Sequence, residues 1–197
     1  MEKTNTAQDA SNLCQQCGLC CTGLLFEYVS FKEHELQNVD VGAYKMNKPG
    51  KRALTHPCQF LDGTSCGIYI DRPSKCRSFA CISRQKVLNG TIALDEGNAV
   101  VAEIQGLLLQ LASIGEETPG LDYQTIGFRK FCEKFAKSID KKLNKGTLPT
   151  ETEQKVVSLC FEIIKIIDRH FRKTSRLNKY AQLVTNIDYL AESTKQR

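Results

Sequence analysis

The sequence contains no long hydrophobic run. No apolar stretch approaches the roughly 20 residues that a helix needs to span a bilayer. Residues 1–12 are polar and lack the apolar core of a secretory signal. From these absences we expect a cytoplasmic protein without membrane contacts.

Motifs of several enzyme classes are also missing. The chain has no P-loop, no Rossmann glycine fingerprint, no nucleophile elbow and no HExxH zinc motif. The Cys-x3-Cys-x2-Cys motif of radical SAM enzymes is absent, because only two residues separate Cys14 from Cys17. Dithiol exchange through this pair would require a thioredoxin-like βαβ context, which the sequence does not predict.

Strong charge of either sign is lacking as well. The net charge is +5, and the 41% hydrophobic and 25% charged residues are typical of a globular protein. This mild basicity is compatible with nucleic acid but does not argue for it. We therefore expect a protein partner or substrate rather than nucleic acid.

Cysteine, in contrast, is abundant and clustered. Eight of the ten cysteines follow the pattern Cys14-x2-Cys17-x2-Cys20-Cys21 and Cys58-x7-Cys66-x9-Cys76-x4-Cys81. Cytosolic thiols are kept reduced, so this pattern favours metal binding over disulfides, whose scaffolds are usually shorter and secreted. Two residues between cysteines let both sulfurs reach one centre, and Gly18 suits that turn because glycine adopts positive φ. The pattern predicts that all eight cysteines are metal ligands.

The identity of the metal stays open at this point. Eight thiolates suffice for two four-ligand sites, and all-thiolate tetrahedral sites suit zinc. The even spacing of Cys14, Cys17 and Cys20 is instead like the run that holds three corners of a four-iron cluster in ferredoxins. The predicted cofactor is therefore an iron–sulfur cluster (4Fe-4S) or zinc.

Each four-thiolate site would carry a charge of about −2, which requires compensation when it is buried. Six cations flank the cysteines and are candidates for that role, although any of them could equally form a solvated surface: Lys51, Arg52, Arg72, Lys75, Arg77 and Arg84.

Adjacent cysteines raise the question of how the ligands divide. Side chains of neighbouring residues point apart in extended backbone, so Cys20 and Cys21 should belong to different sites. The hypothesis is that Cys21 joins cysteines of the second segment, while one of those cysteines completes the first site.

Three regions are predicted along the chain: a flexible tail over residues 1–13, a cysteine-cluster metal-binding module over 14–95, and an α-helical region over 96–197. In the module, residues 24–29 are predicted to form a short strand. Ser30 and Glu33 form a capping box for a brief helix through about Val39. The module is thus a set of short, irregular elements with little apolar core of its own.

Further turn signals follow. Residues 48–51 and 62–65 are predicted turns, and Asp71 and Pro73 precede a short helix that carries Cys76 and Phe79. Metal coordination can supply the stability that so irregular a module lacks.

The C-terminal region is predicted to be an α-helical bundle, which makes the fold class mainly α. Gly115 is placed to end its first helix, Gly146 follows the second, and Thr150 and Glu153 form a capping box for the third. Apolar residues at helical spacing define the four stripes: Val100, Ile104, Leu107, Leu108 and Leu111; Phe128, Phe131, Phe135, Ile139 and Leu143; Val156, Leu159, Ile163, Ile166 and Ile167; Leu177, Tyr180, Val184 and Ile187.

Several other residues have an ordinary structural interpretation. Cys132 and Cys160 lie on apolar helix faces, where cysteine packs as a small hydrophobe, and they are excluded from the site. His34 or His56 could replace a cysteine ligand, and His56 is the better candidate because it lies two residues before Cys58.

The cysteine strings resemble a known family. CQQCGLCC and PCQFLDGTSCGIYIDRPSKCRSFAC are similar to the YkgJ-type cysteine-cluster family, whose CxxCxxCC domain is described as zinc- or iron-chelating. The resemblance covers about residues 14 to 81, and its matching positions are the eight cysteines with Gly18, Pro57, Phe60, Leu61, Ile68, Tyr69, Arg72, Pro73, Arg77 and Phe79.

Two functions are compatible with these observations. The first is a cytoplasmic metal-chelating protein whose eight-cysteine cluster has a structural or redox role. The alternative, which the resemblance permits, is a cluster-containing protein-modifying enzyme related to flagellin lysine N-methylases. Nothing in residues 96–197 resembles the remainder of those longer enzymes.

Overall fold

A computed structural model describes residues 6–37, 39, 45–48, 51–118, 120–124, 126–172 and 177–195. The predicted fold class is confirmed, since 62% of the structure is helical and the strands are short and confined to two small sheets. The chain divides into two compact units, Met1–Val101 with Gln124–Arg129, and Ala102–Tyr123 with Lys130–Arg197. We call them the N-terminal unit and the C-terminal unit.

Helix α1, Thr6–Cys17, opens the N-terminal unit and carries the first two cysteines. Residues 6–13 were expected to belong to a flexible tail, but they are helical because Ala10 and Leu13 are buried. Such a polar helix gains its stability from tertiary packing rather than from propensity. Its packing partner is α3, Ile82–Leu88, a helix that the sequence patterns did not predict.

A three-stranded antiparallel sheet follows α1 in the order β1-β3-β2. Strand β1 is Tyr28–Phe31, β2 is Lys45–Lys48 and β3 is Lys51–Thr55. Strand β1 begins later than the strand predicted at 24–29 and includes Ser30. The prediction that Ser30 caps a helix is therefore wrong. Pairing of β1 with β3 draws Ser30 into the sheet, opposite Ala53. The predicted turn at 48–51 centres on residues 49 and 50, which lie outside the described residues.

Short elements complete this unit. Strands β4, Leu61–Asp62, and β5, Ser65–Cys66, form a hairpin, which confirms the predicted turn at 62–65. Gly63 adopts the positive φ, 56°, that this turn requires. Helix α2, Ser74–Ser78, carries Cys76 as predicted and ends one residue before Phe79.

Glu35 links helix α2 to the segment that follows β1. Between β1 and β2, a 3₁₀ turn at Glu33–Leu36 brings the Glu35 carboxylate to two backbone donors, Lys32 N at 2.7 Å and Ser74 N at 2.6 Å. These hydrogen bonds lower the pKa of Glu35 from its ordinary 4.5 to about 2. The contact ties two segments that lie 39 residues apart.

Four long helices follow: α4, Leu94–Glu117; α5, Phe128–Leu143; α6, Glu151–Ile166; and α7, Leu177–Lys195. A single π-helical turn, Ile167–Phe171, extends α6. The capping box of Thr150 and Glu153 is confirmed. The prediction that Gly115 ends its helix is wrong, because α4 continues to Glu117. Gly115 instead allows a close approach, since a Cβ there would lie 3.0 Å from the Leu121 carbonyl oxygen.

Among the described helices, α4 is long and apolar enough to cross a membrane by length and composition alone. Its residues Ile104, Leu108 and Leu111 are buried within the fold. Core helices of water-soluble proteins have the same composition, so this property is weak evidence for a membrane span.

The remaining two cysteines lie in the core of the C-terminal unit. Cys132 on α5 and Cys160 on α6 are fully buried, which confirms their predicted placement on apolar faces. The Tyr180 hydroxyl donates to the Cys132 carbonyl oxygen at 2.8 Å. Burial, followed by the hydrogen bond with Cys132, raises the pKa of the Cys160 thiol. Both cysteines therefore serve as packing groups of the core.

We predict that Glu35→Gln lowers the free energy of unfolding by about 1 kcal/mol at pH 7, because a neutral amide is a weaker acceptor for the two backbone donors. The folded-state pKa of Glu35 is depressed, so its stabilisation is complete above about pH 4.5 and is lost as pH falls toward 2. Urea unfolding at decreasing pH should show the difference between the two proteins shrinking in that range. Glu133→Gln, which removes an exposed pair with Lys137, is the control; an equal effect of both variants would contradict the assignment.

Candidate metal centre

The first two candidate ligands lie on the last turn of α1. Cys14 and Cys17 are three residues apart, so their side chains share one face of the helix. Gly18 then ends the helix with a φ of 61°. The Cys21 amide donates to the Gly18 carbonyl oxygen at 2.8 Å, which folds residues 18–21 into a tight turn carrying Cys20.

The second segment joins this turn directly. The Cys58 amide donates to the Cys21 carbonyl oxygen at 2.7 Å, and the two thiols are hydrogen-bonded to each other. The hydrogen bond from Cys21 lowers the pKa of Cys58, and the same bond raises the pKa of Cys21. Cys21 therefore contacts the second segment, as the hypothesis of interleaved ligands requires.

The last three cysteines lie on three different elements. Cys66 is in β5, opposite Leu61 of β4. Cys76 is in α2, and Cys81 is the N-cap of α3, where its sulfur accepts the Arg84 amide at 3.4 Å. Four short elements (α1, β5, α2 and the N-cap of α3) and the segments between them thus contribute the eight thiols, and all are free of disulfides and partly buried.

The thiols interact electrostatically across these elements. The pKa of Cys17 is raised to about 12, mainly by burial and also by the neighbouring Cys81 and Cys14. Burial likewise raises the pKa of Cys20, whose strongest thiol neighbours are Cys17 and Cys81. The cysteines are therefore one contiguous cluster rather than separate surface thiols.

Cys76 has different thiol neighbours from those of Cys17. Its pKa is raised to about 11, first by burial and then by Cys58 and Cys66. Burial also raises the pKa of Cys66, with Cys58 its strongest thiol neighbour. Neutral thiols are favoured at these positions unless a cation balances the charge of the thiolates.

Backbone amides point at the sulfurs. The amide two residues later in the chain donates to three of them: Leu19 to Cys17, Phe60 to Cys58 and Ile68 to Cys66. Amide donors of this kind stabilise thiolates and tune both zinc and iron–sulfur centres. The donor set and its amide shell therefore fit a thiolate-bound metal.

The amide donors were not identified individually from the sequence, although a signal for them exists. Each donor lies at the second position after a cysteine, and two of the intervening residues are Gly18 and Gly67. A glycine between a cysteine and its donor frees the backbone to turn toward the sulfur.

Two of the six candidate cations act on the thiols. Arg72 lowers the pKa of Cys66 and Cys76 by its charge, although burial dominates at both. Its position is held by a hydrogen bond from Nε to the Tyr69 carbonyl oxygen at 2.7 Å and by stacking 3.4 Å from the ring centre. Arg84 acts in the same way on Cys81.

The other four cations have different positions. Arg77 is exposed, and the Lys75 ammonium donates to the Ser30 hydroxyl. The Lys51 side chain lies outside what the structure describes, and Arg52 pairs with Phe31 in the β1–β3 ladder.

The two histidines considered as candidate ligands differ in position. After the hydrogen bond from Cys21, an interaction with His56 also lowers the pKa of Cys58, while burial opposes both. Its ring nitrogens are buried and, within the described part of the chain, lack a partner at good hydrogen-bonding geometry. His34 is exposed.

Among the described residues, no three His, Cys, Asp or Glu side chains are already spaced as a bound metal ion would hold them. Thiols such as those of Cys21 and Cys58 are instead neighbours joined by a hydrogen bond. Metal–sulfur bonds of about 2.3 Å would draw them closer. The backbone hydrogen bond between these two residues shows that the chain already brings the two cysteine segments together.

Comparison with known families agrees with this chemistry. The model of the CxxCxxCC family, described as a "Putative zinc- or iron-chelating domain", matches residues 13–93. The match spans under half of the 197 residues and includes all eight clustered cysteines. It confirms the resemblance predicted from the cysteine strings, and zinc or iron fits the domain. No curated protein and no solved structure matches the chain.

The packing of Gly18 yields a prediction. A Cβ at Gly18 would lie 2.7 Å from the Thr64 carbonyl oxygen, whereas a Cβ at Gly63, which has a similar positive φ, would meet nothing within 4 Å. Gly18→Ala should therefore cost at least about 1 kcal/mol more than Gly63→Ala, which bears only the backbone strain of about 1 kcal/mol. Urea unfolding and metal content of the two variants measure the difference. Equal stability and equal metal content of the two variants would show that the close packing of Gly18 on Thr64 is not needed.

Proposed function

We propose that residues 13–93 bind zinc or an iron–sulfur cluster through eight cysteine thiolates, and that the bound metal stabilises the N-terminal unit in a cytoplasmic protein. The ligands are Cys14, Cys17, Cys20, Cys21, Cys58, Cys66, Cys76 and Cys81. With zinc the role is structural; with a four-iron cluster the same thiolates also support electron transfer.

The main support is the contact between Cys21 and Cys58. These residues are separated by 36 others, yet they share a backbone hydrogen bond of 2.7 Å and a hydrogen bond between their thiols. A fold has no packing reason to bring so many thiols together, because each buried polar group must find a partner. Metal bound by these thiolates satisfies all of them.

The small core of this unit supports a structural role. Beside the helix pair α1 and α3, one apolar cluster of the described residues consists of Phe31, Leu36 and Leu54, with Cys58 and Phe60 packed against it. Leu19, Leu24 and Leu25 are also buried, next to the first cysteines in sequence. The strands are two to five residues long. Structural zinc contributes on the order of 10–16 kcal/mol in small peptides, which exceeds what such a cluster supplies.

Protein purified without oxygen should contain zinc, or iron with sulfide. Metal analysis together with the absorption spectrum distinguishes them, since zinc thiolates lack the broad visible absorption of iron–sulfur clusters. Cys58→Ser should reduce the metal content, while Cys132→Ala and Cys160→Ala should leave it unchanged because both residues lie in the C-terminal unit. A folded, metal-free protein from anaerobic cells would refute the proposal.

Removal of the metal should unfold the two units unequally. The helices of the C-terminal unit bury their own apolar residues, such as Ile139, Ile163 and Leu183, and should keep their amide protection. Residues 13–93 should lose protection by at least about 100-fold, since their stability depends on the ligands. Hydrogen exchange on metal-loaded and chelator-treated protein measures both. Equal loss in the two units would contradict a metal-dependent N-terminal unit.

A further inference from the structure

We infer that the eight cysteines form two separate four-sulfur centres, and that each centre combines both segments of the motif. The first centre consists of Cys14, Cys17, Cys20 and Cys81, and the second consists of Cys21, Cys58, Cys66 and Cys76. This inference rests on the proposed metal binding and adds the ligand composition of each site.

Helix packing assigns Cys81 to the first centre. Leu13 of α1 and Val87 of α3 meet beside Gly97, where a Cβ would lie 3.0 Å from one side chain and 3.3 Å from the other. A Cβ at Gly90, just after α3, would lie 4.0 Å from the side chain of Thr6 at the start of α1, so the two helices run antiparallel. The N-terminal end of α3, with Cys81 as its N-cap, therefore lies toward the last turn of α1, which carries Cys14 and Cys17. Cys14 is the strongest thiol neighbour of Cys81, and Cys81 is that of Cys17.

Backbone hydrogen bonds assemble the second centre. Cys58 is bonded to Cys21 and, through its carbonyl oxygen, to the Leu61 amide at 3.1 Å. Leu61 lies opposite Cys66 in the hairpin. Cys76 is brought to the same place by α2, which packs on β1 and is tethered through Ser74 to Glu35.

The tight turn at residues 18–21 separates the two adjacent cysteines. The strongest thiol neighbours of Cys20 are Cys17 and Cys81, whereas that of Cys21 is Cys58. Weaker interactions cross between the groups, from Cys20 to Cys21, from Cys14 to Cys66 and from Cys76 to Cys20. The two centres are therefore neighbours within one unit rather than distant sites.

Each centre also has its own arginine. Arg84 interacts with Cys81 and donates its backbone amide to that sulfur at 3.4 Å. Arg72 interacts with Cys66 and Cys76. One cation beside each group is the arrangement that two separate anionic centres require.

Paired serine substitutions test the division. The metal content of anaerobically purified variants is compared with that of the wild-type protein. Cys81→Ser and Cys58→Ser should each remove about half of the metal. The double variant Cys14→Ser/Cys81→Ser should lose no more metal than Cys81→Ser alone, although the two substituted residues are 67 positions apart in sequence. The neighbouring pair Cys20→Ser/Cys21→Ser should lose both centres.

A second measurement uses the unsubstituted protein and so does not depend on the folding of variants. Partial metal removal by a chelator, followed by alkylation and peptide mapping, should label the cysteines in two groups of four with the composition given above. Labelling of residues 14–21 as one group and 58–81 as the other would overturn the inference. Loss of all metal from every single variant, indicating one shared centre, would overturn it as well. Wild-type protein without metal would instead refute the proposed function itself.

Discussion

The electrostatic cost of gathering thiols in a small unit governs the N-terminal half of this protein. Burial raises the pKa of Cys17, Cys20 and Cys76, and neighbouring thiolates raise it further. Backbone amides donate hydrogen bonds to several sulfurs, and the charges of Arg72 and Arg84 act on Cys66 and Cys81. The short strands and helices around the cysteines hold these groups in position.

The C-terminal unit follows a different principle. Its long helices pack through continuous apolar stripes, and its two cysteines serve as small core residues beside Tyr180. Here local periodicity and capping decide the structure, so the sequence predicted these helices well. Phe128–Leu143 was evident from its apolar stripe, and the start of Glu151–Ile166 from the capping box of Thr150 and Glu153.

Sequence patterns were less informative for the N-terminal unit, for physical reasons. Strands such as Lys51–Thr55 are too short and polar to show alternation, and they form because neighbouring strands pair with them. Helix α1 is mostly polar and buries only Ala10 and Leu13, so its stability comes from packing on α3. The candidate ligands could be named from cysteine spacing. Their division could not, because the place of Cys81 depends on the packing of Leu13 and Val87.

Cys81 occupies a position with two roles. Its sulfur is a candidate ligand, and it also caps α3 by accepting the Arg84 amide. A metal-bound thiolate is a stronger acceptor than a neutral thiol, so occupancy of the first centre would strengthen the first turn of α3. Because α3 packs on α1, whose last turn carries two more candidate ligands, metal binding at the first centre would stabilise both helices together. Loss of one sulfur ligand would then also weaken a helix end.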